Sequence, residues 1–71
     1  MSIIKVIEVI ASSNKSFDDA THNAVAEAAK SVKNIKSVYI ENMKAKVENN
    51  KISSYAVNAK ISFEITNKDI S

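Results

Sequence analysis

The C-terminal third of the chain alternates in polarity: Tyr55, Val57, Ala59, Ile61, Phe63 and Ile65 are apolar, and Ser54, Asn58, Lys60, Ser62 and Glu64 between them are polar. A period of two sustained over such a length predicts a half-buried antiparallel strand. At about 3.3 Å per residue, a strand from Ile52 to Ile65 spans on the order of 45 Å. A compact globule of 71 residues has a radius of gyration of only about 11 Å. One copy is too small to cover that ribbon, so burial between copies of the chain is the first expectation.

Size points the same way. A domain this short buries only about 60% of its unfolded surface. With no cysteine in the chain, neither disulfides nor cysteine-based zinc sites are available to compensate. Homo-oligomerisation remains as the source of stability. The chain is expected to form one domain over residues 1–66, followed by a frayed polar tail over 67–71.

The apolar fraction of 45% and charged fraction of 25% are those of a folded globular protein. No run approaches the ~18 consecutive apolar residues of a membrane span, and the apolar N-terminal stretch is broken by Lys5 and Glu8 without a cleavage-site pattern. A cytoplasmic location with no membrane partner is expected. The net charge of +2 comes with ten basic residues, all of them lysine and spread from Lys5 to Lys68. Without arginine, tryptophan or a basic stripe, nucleic acid is not an expected partner.

Residues 3–10, rich in Ile and Val, predict a first strand, and Ala11 to Lys15 a polar connection. Ser16 is a good N-cap with Asp19 at the capping-box position, so a helix should begin at Phe17. Phe17, Ala20, Thr21, Ala24, Ala28 and Val32, widened by Val25 and Ala29, give it an apolar face of small side chains. Lys30 and Lys33 suit the negative end of its dipole. Asn34 is the natural left-handed terminator in a chain without glycine. A second strand over Ser37–Val47 places Val38 and Ile40 on one parity and Tyr39, Met43, Ala45 and Val47 on the other. Glu48-Asn49-Asn50-Lys51 predicts the turn of a hairpin between the two long strands. The fold class is therefore α+β with order β-α-β-β, a three-stranded antiparallel sheet wrapped around one helix.

Catalytic constellations are lacking. His22 lies on the outer side of the helix with no partner for a triad. Ser12, Ser13, Ser53 and Ser54 sit in no nucleophile elbow. Asp18 and Asp19, being adjacent, diverge on a helix. Without glycine there is no phosphate-cradling loop. No enzymatic activity is expected.

Several segments, taken in order, carry a resemblance to a known family: Lys5-Val6-Ile7-Glu8-Val9-Ile10 leading into Ala11-Ser12-Ser13, then Ser16-Phe17 with Ala20 and Ala24-Val25, and last Tyr55 with Ile61-Ser62-Phe63-Glu64-Ile65. Over residues 3 to 65 the chain resembles the dodecins, in which a three-stranded sheet wraps one helix and twelve subunits form a hollow sphere. The resemblance implies a homododecamer that stores or sequesters a small aromatic ligand, with flavin (the FMN, FAD and riboflavin class) as the family's ligand. In flavin-binding dodecins a tryptophan stacks on the isoalloxazine ring and a glutamine hydrogen-bonds it. Those positions fall on Ser37 and Ala56, and the chain contains neither tryptophan nor glutamine. Loss of the stack removes about 0.5–1.5 kcal/mol beyond area burial, and loss of the hydrogen bond about 1–3 kcal/mol. Flavin is thus suggested by the family and disfavoured by these residues. Tyr39, on the parity of Ser37, offers a substitute ring, and Asn42, on the other parity, offers a hydrogen-bonding side chain. The alternative implied by the family's tryptophan-less branch is a structural or calcium-binding shell, to which Glu41, Glu48 and Glu64 would contribute only if symmetry gathered copies, because calcium takes six to eight oxygens. No metal site is expected within one subunit.

Overall fold

The computed structural model describes residues 2–66. The frayed tail expected over 67–71 lies outside the described residues. Strand β1 (Ser2–Ser13), helix α1 (Phe17–Ala29), strand β2 (Ile35–Glu48) and strand β3 (Lys51–Thr66) form a single antiparallel sheet in the order β1-β3-β2, with the helix on one face. The ribbon sets the shape. The principal extents are 54 × 19 × 13 Å and the radius of gyration is 14.6 Å, well above the ~11 Å of a compact chain of this length.

The strictest alternation falls on β3 because β3 is the central strand. Its odd-numbered residues Val57, Ala59, Ile61 and Phe63 are buried, as are Ala20, Ala24 and Ala28 of the helix, and Ala59 and Ile61 pack with Ala24 and Ala28 in one cluster. Alanine at each helix contact lets α1 approach the sheet closely, and Ile7, Val9, Ala11, Val25, Val32, Ile35, Val38 and Ile40 close the rim of this small core. Ala29, placed by periodicity at the edge of the apolar face, is exposed. Phe17 meets Tyr55 edge to face, ring centroids 5.0 Å apart. That contact marks the end of the helix cover.

Cap chemistry explains the helix boundaries. Ser16 Oγ accepts the Asp19 backbone N–H at 2.9 Å. The reciprocal half of the capping box does not form, because Asp19 Oδ2 instead accepts the Ser13 hydroxyl at 2.6 Å. That bond also ties the helix start to the end of β1, which continues to Ser13 rather than stopping at Ile10. Ala11, Ser12 and Ser13 are held in the strand by β3 partners Val57, Ala56 and Tyr55, so the connection shrinks to 14–16. At the other end α1 stops at Ala29, leaving no base in the last turn. Lys30 is the C-cap, its ammonium 3.2 Å from Glu27, and Lys33 lies beyond the helix. Asn34 adopts φ 62°, and its carbonyl accepts the Glu64 N–H at 3.0 Å, docking the connection onto β3.

The hairpin turn is tighter than Glu48–Lys51. Asn49 and Asn50 take φ 53° and 64° and alone separate β2 from β3, the paired left-handed residues of a two-residue turn. Strand β2 starts two residues earlier than Ser37 and is irregular, with breaks of register between Ile35 and Ser37, Ile40 and Asn42, and Lys46 and Val47. The second break corrects the parity reading. Ile40 pairs with Ala59 and Asn42 with Asn58, so Glu41 is an extra residue that reverses the alternation after it. Met43 and Ala45, opposite Val57 and Tyr55, therefore share the helix face with Val38 and Ile40, and Asn42 joins Ser37 and Tyr39 on the opposite face.

Candidate functional site

The face of the sheet turned away from the helix is built from Ile4, Val6, Glu8, Ile10 and Ser12 of β1, the even-numbered residues of β3 from Ser54 to Glu64, and Ser37, Tyr39, Asn42, Lys44 and Lys46 of β2. A face that alternation assigns to solvent would be polar throughout. Here Ile4, Val6, Ile10 and Tyr39 are 56%, 58%, 74% and 65% exposed. This is an apolar surface that one protomer does not cover.

All four residues singled out from the sequence, Ser37, Tyr39, Asn42 and Ala56, lie on this face, but they do not form one site within a protomer. Ser37 is opposite Ser62, the two hydroxyls sharing a hydrogen bond. Tyr39 is opposite Lys60, whose ammonium is 3.4 Å from Glu41. Asn42 and Ala56 belong to the next part of the ladder, where Asn42 pairs with Asn58 and Lys44 with Ala56. Between the partner of Ser37 and Ala56 lie six steps of β3, about 20 Å at the strand rise. A single ring cannot touch Ser37 and Ala56 of the same copy.

Asn42 and Ala56 do converge on a cavity of about 120 Å³ lined by Ile10, Asn42, Lys44, Ala56, Val57 and Asn58. Its floor is a row across all three strands, Ile10–Asn58–Asn42, with the row Ala56–Lys44 beside it. Ala56 leaves open the space that a larger side chain would fill. Asn58 also has a side-chain oxygen, Oδ1, that is buried and without a hydrogen-bond partner among the described residues. Sequence reading missed Asn58, Lys44 and Ile10 as site residues. The polar alternation that marks Asn58 as outward-facing was visible, but its meeting with Asn42 depends on the bulge at Glu41. A second cavity, of about 260 Å³, lies past the helix C-terminus among Ser31, Val32, Lys33, Phe63, Glu64 and Ile65.

The three glutamates considered for calcium are each paired to a lysine. Glu41 is 3.4 Å from Lys60, Glu48 is 3.6 Å from Lys46 and Glu64 is 3.6 Å from Lys36. Among the described residues no three acidic, histidine or cysteine side chains gather to hold a metal. His22 is exposed and within 3.5 Å of Asp18, on the far side of the molecule from the cavity. No described helix is long and apolar enough to cross a membrane.

Comparison with known proteins adds to this geometry. The family model described as Dodecin matches residues 3–66. No curated protein matches. Among solved structures the chain is similar to a dodecin of Streptomyces coelicolor, with TM-score 0.86 and 21% identity over 93% of this chain and 94% of that one. It is similar to a dodecin of Streptomyces davaonensis, with TM-score 0.86 and 17% identity over 93% and 97% of the two chains. It is also similar to the calcium-chelating immunodominant antigen of Mycobacterium tuberculosis, a calcium dodecin, with TM-score 0.76 and 29% identity over 92% and 93%.

Proposed function

The chain belongs to the dodecin family, and from that premise we propose that it is a homo-oligomeric, non-enzymatic cytoplasmic protein, a shell of twelve single-domain copies, that holds a small ligand without transforming it. The observation that carries this reading is the uncovered face opposite the helix. Ile4, Val6, Ile10 and Tyr39 stand exposed there beside a cavity, where an independent monomer would be polar. Fully burying an aliphatic or aromatic side chain is worth about 1.5–3 kcal/mol, so a face left more than half exposed holds several kcal/mol in reserve for association. Ser37, Tyr39, Asn42 and Ala56 are the ligand-facing residues of this reading. The ~20 Å between the first and last along β3 supports a site shared between copies. Flavin is the family's ligand, but Ser37 brings no ring to stack and Ala56 no amide.

Calcium is the second reading, favoured by the 29% identity with the calcium dodecin. It requires copies to bring Glu41, Glu48 or Glu64 together and to compete with the lysine on each.

Native mass spectrometry on protein purified from flavin-replete cells tests both. A mass of twelve 7.8-kDa subunits with a retained organic molecule supports the first reading. A colourless shell carrying calcium in stoichiometric amount supports the second, and a folded monomer refutes both.

A further inference from the structure

The two outer strands of the sheet differ as edges. The order β1-β3-β2 leaves each with one unpaired side. Strand β2 is broken by three irregularities of register, the kind of distortion that keeps an edge from pairing with another chain. Strand β1 has none, and its 12 residues pair in unbroken register from Ser2↔Thr66 to Ser13↔Tyr55. Four of its aliphatic side chains, Ile3, Ile4, Val6 and Ile10, are at least half exposed. A long, regular, apolar edge without proline favours the addition of a further strand.

The bonds that this edge offers follow from one contact. Asn23 of α1 donates to the Ser12 carbonyl at 3.0 Å, which assigns that carbonyl to the side of β1 away from β3. Residues of an antiparallel strand alternate in the side to which their backbone groups point. The even-numbered Ile4, Val6, Glu8 and Ile10 therefore present N–H and C=O at the open edge. Asn23 closes the edge at Ser12, so the open stretch runs from Ile4 to Ile10 and its midpoint is Ile7.

We infer that β1 pairs antiparallel with β1 of a second copy about a two-fold axis at Ile7, joining two three-stranded sheets into one continuous sheet. In this register Ile4 of each copy faces Ile10 of the other, so that two of the most exposed aliphatic side chains of the strand cover one another. Val6 faces Glu8 and Lys5 faces Val9, and no two like charges are directly opposed. An axis at Lys5 or at Glu8 would set like charges against each other, which is destabilising, and an axis at Val6 would leave Ile10 facing Ser2. So short a stretch buries less than the ~800 Å² that each partner gives up in a stable free-standing complex. The pairing is therefore one contact within the proposed shell; it rests on that reading and names the edge, the symmetry and the register.

Because the chain has no cysteine, introduced thiols report the register on the intact assembled protein. Ile4→Cys with Ile10→Cys, both on the outer face, should give covalent dimers on treatment with diamide, since opposed residues lie about 5.5 Å apart at Cα, within disulfide range. Either substitution alone should stay unlinked, because across this axis each residue is about 20 Å from its own copy. Glu8→Pro removes an N–H directed at the open edge and spares the ladder with β3. It should raise at least tenfold the concentration at which the assembly comes apart, with the sheet retained by circular dichroism. No linkage in the double variant, equal linkage in a single one, or an unchanged midpoint in folded Glu8→Pro overturns the inference, and if Glu8→Pro does not fold the cysteine pair decides. Twelve copies by native mass spectrometry without linkage sink this pairing and leave the shell reading standing. Linked pairs that never exceed two copies mean the opposite: the pairing stands and the shell falls.

Discussion

The hairpin end beyond Tyr55 offers the sharpest test of why the ribbon is so long. The helix cover stops where Phe17 meets Tyr55, and past that point Val47 and Ile52 pair across the ladder while remaining 61% and 54% exposed. In a monomer these two side chains contribute little, so replacing them should leave the subunit fold unchanged. On the proposed assembly reading they become buried between copies. If about half of the ~1.5–3 kcal/mol for burying each aliphatic side chain is still to be gained, each contributes about 1 kcal/mol to association. Val47→Thr with Ile52→Thr keeps both residues β-branched, so strand propensity is retained and mainly apolar contact is lost. The expected loss is about 2 kcal/mol per subunit, which corresponds to roughly a 30-fold rise in the concentration at which the assembly comes apart. Sedimentation velocity over a dilution series measures that midpoint, with circular dichroism confirming the sheet. An unchanged midpoint would show that this end of the hairpin is not an interface. Natural protein that remains folded and monomeric on dilution would refute the link between ribbon length and assembly altogether.

Ser16→Ala removes the acceptor for the Asp19 N–H and should cost about 1 kcal/mol, lowering the calorimetric midpoint by several degrees, while Ser16→Asp should restore it. Asn34→Ala forces a β-carbon residue into φ 62° at about 1–2 kcal/mol, whereas Asn34→Gly should lie within a few tenths of a kcal/mol of the natural protein by denaturant titration. Ser37→Trp with Ala56→Gln reinstates a ring and an amide worth together about 1.5–4.5 kcal/mol, so flavin affinity measured by fluorescence quenching should rise at least tenfold. Equal quenching in the natural and double-variant proteins would show that these two positions do not face the flavin.

The elements were legible where one local signal decided them. Ser16, Asn34 and the Asn49-Asn50 pair mark a cap and two left-handed positions, each a property of a few adjacent atoms, and the structure places each of them in that conformation. The alternation of β3 was legible because a central strand has one buried face along its whole length. Strand boundaries were not. Ser12 and Ser13 look like turn residues in isolation and become strand only because β3 is long enough to pair with them, a nonlocal cause. Lys30, expected at the negative end of the helix dipole, is the C-cap, whereas Lys33 lies beyond the helix, because side-chain charge does not reveal where the hydrogen-bond ladder stops.

The candidate site was the least legible part, and the reason lies in one residue. A bulge leaves no signature in composition, yet the extra residue Glu41 reverses the faces of everything between it and the next irregularity. Without it Asn42 would sit on the helix side, Met43 would lie on the outer face, and Asn58 would have no amide neighbour across the ladder. With it the polar pair Asn42–Asn58 assembles opposite Ile10, while Ser37 and Tyr39, on the other side of the irregularity, remain with Ser62 and Lys60. The bulge thus divides the outer face into two regions along β3 that one small ligand cannot bridge in a single protomer. A ligand contacted by both regions must lie where two copies meet, so on this reading assembly and binding are a single event.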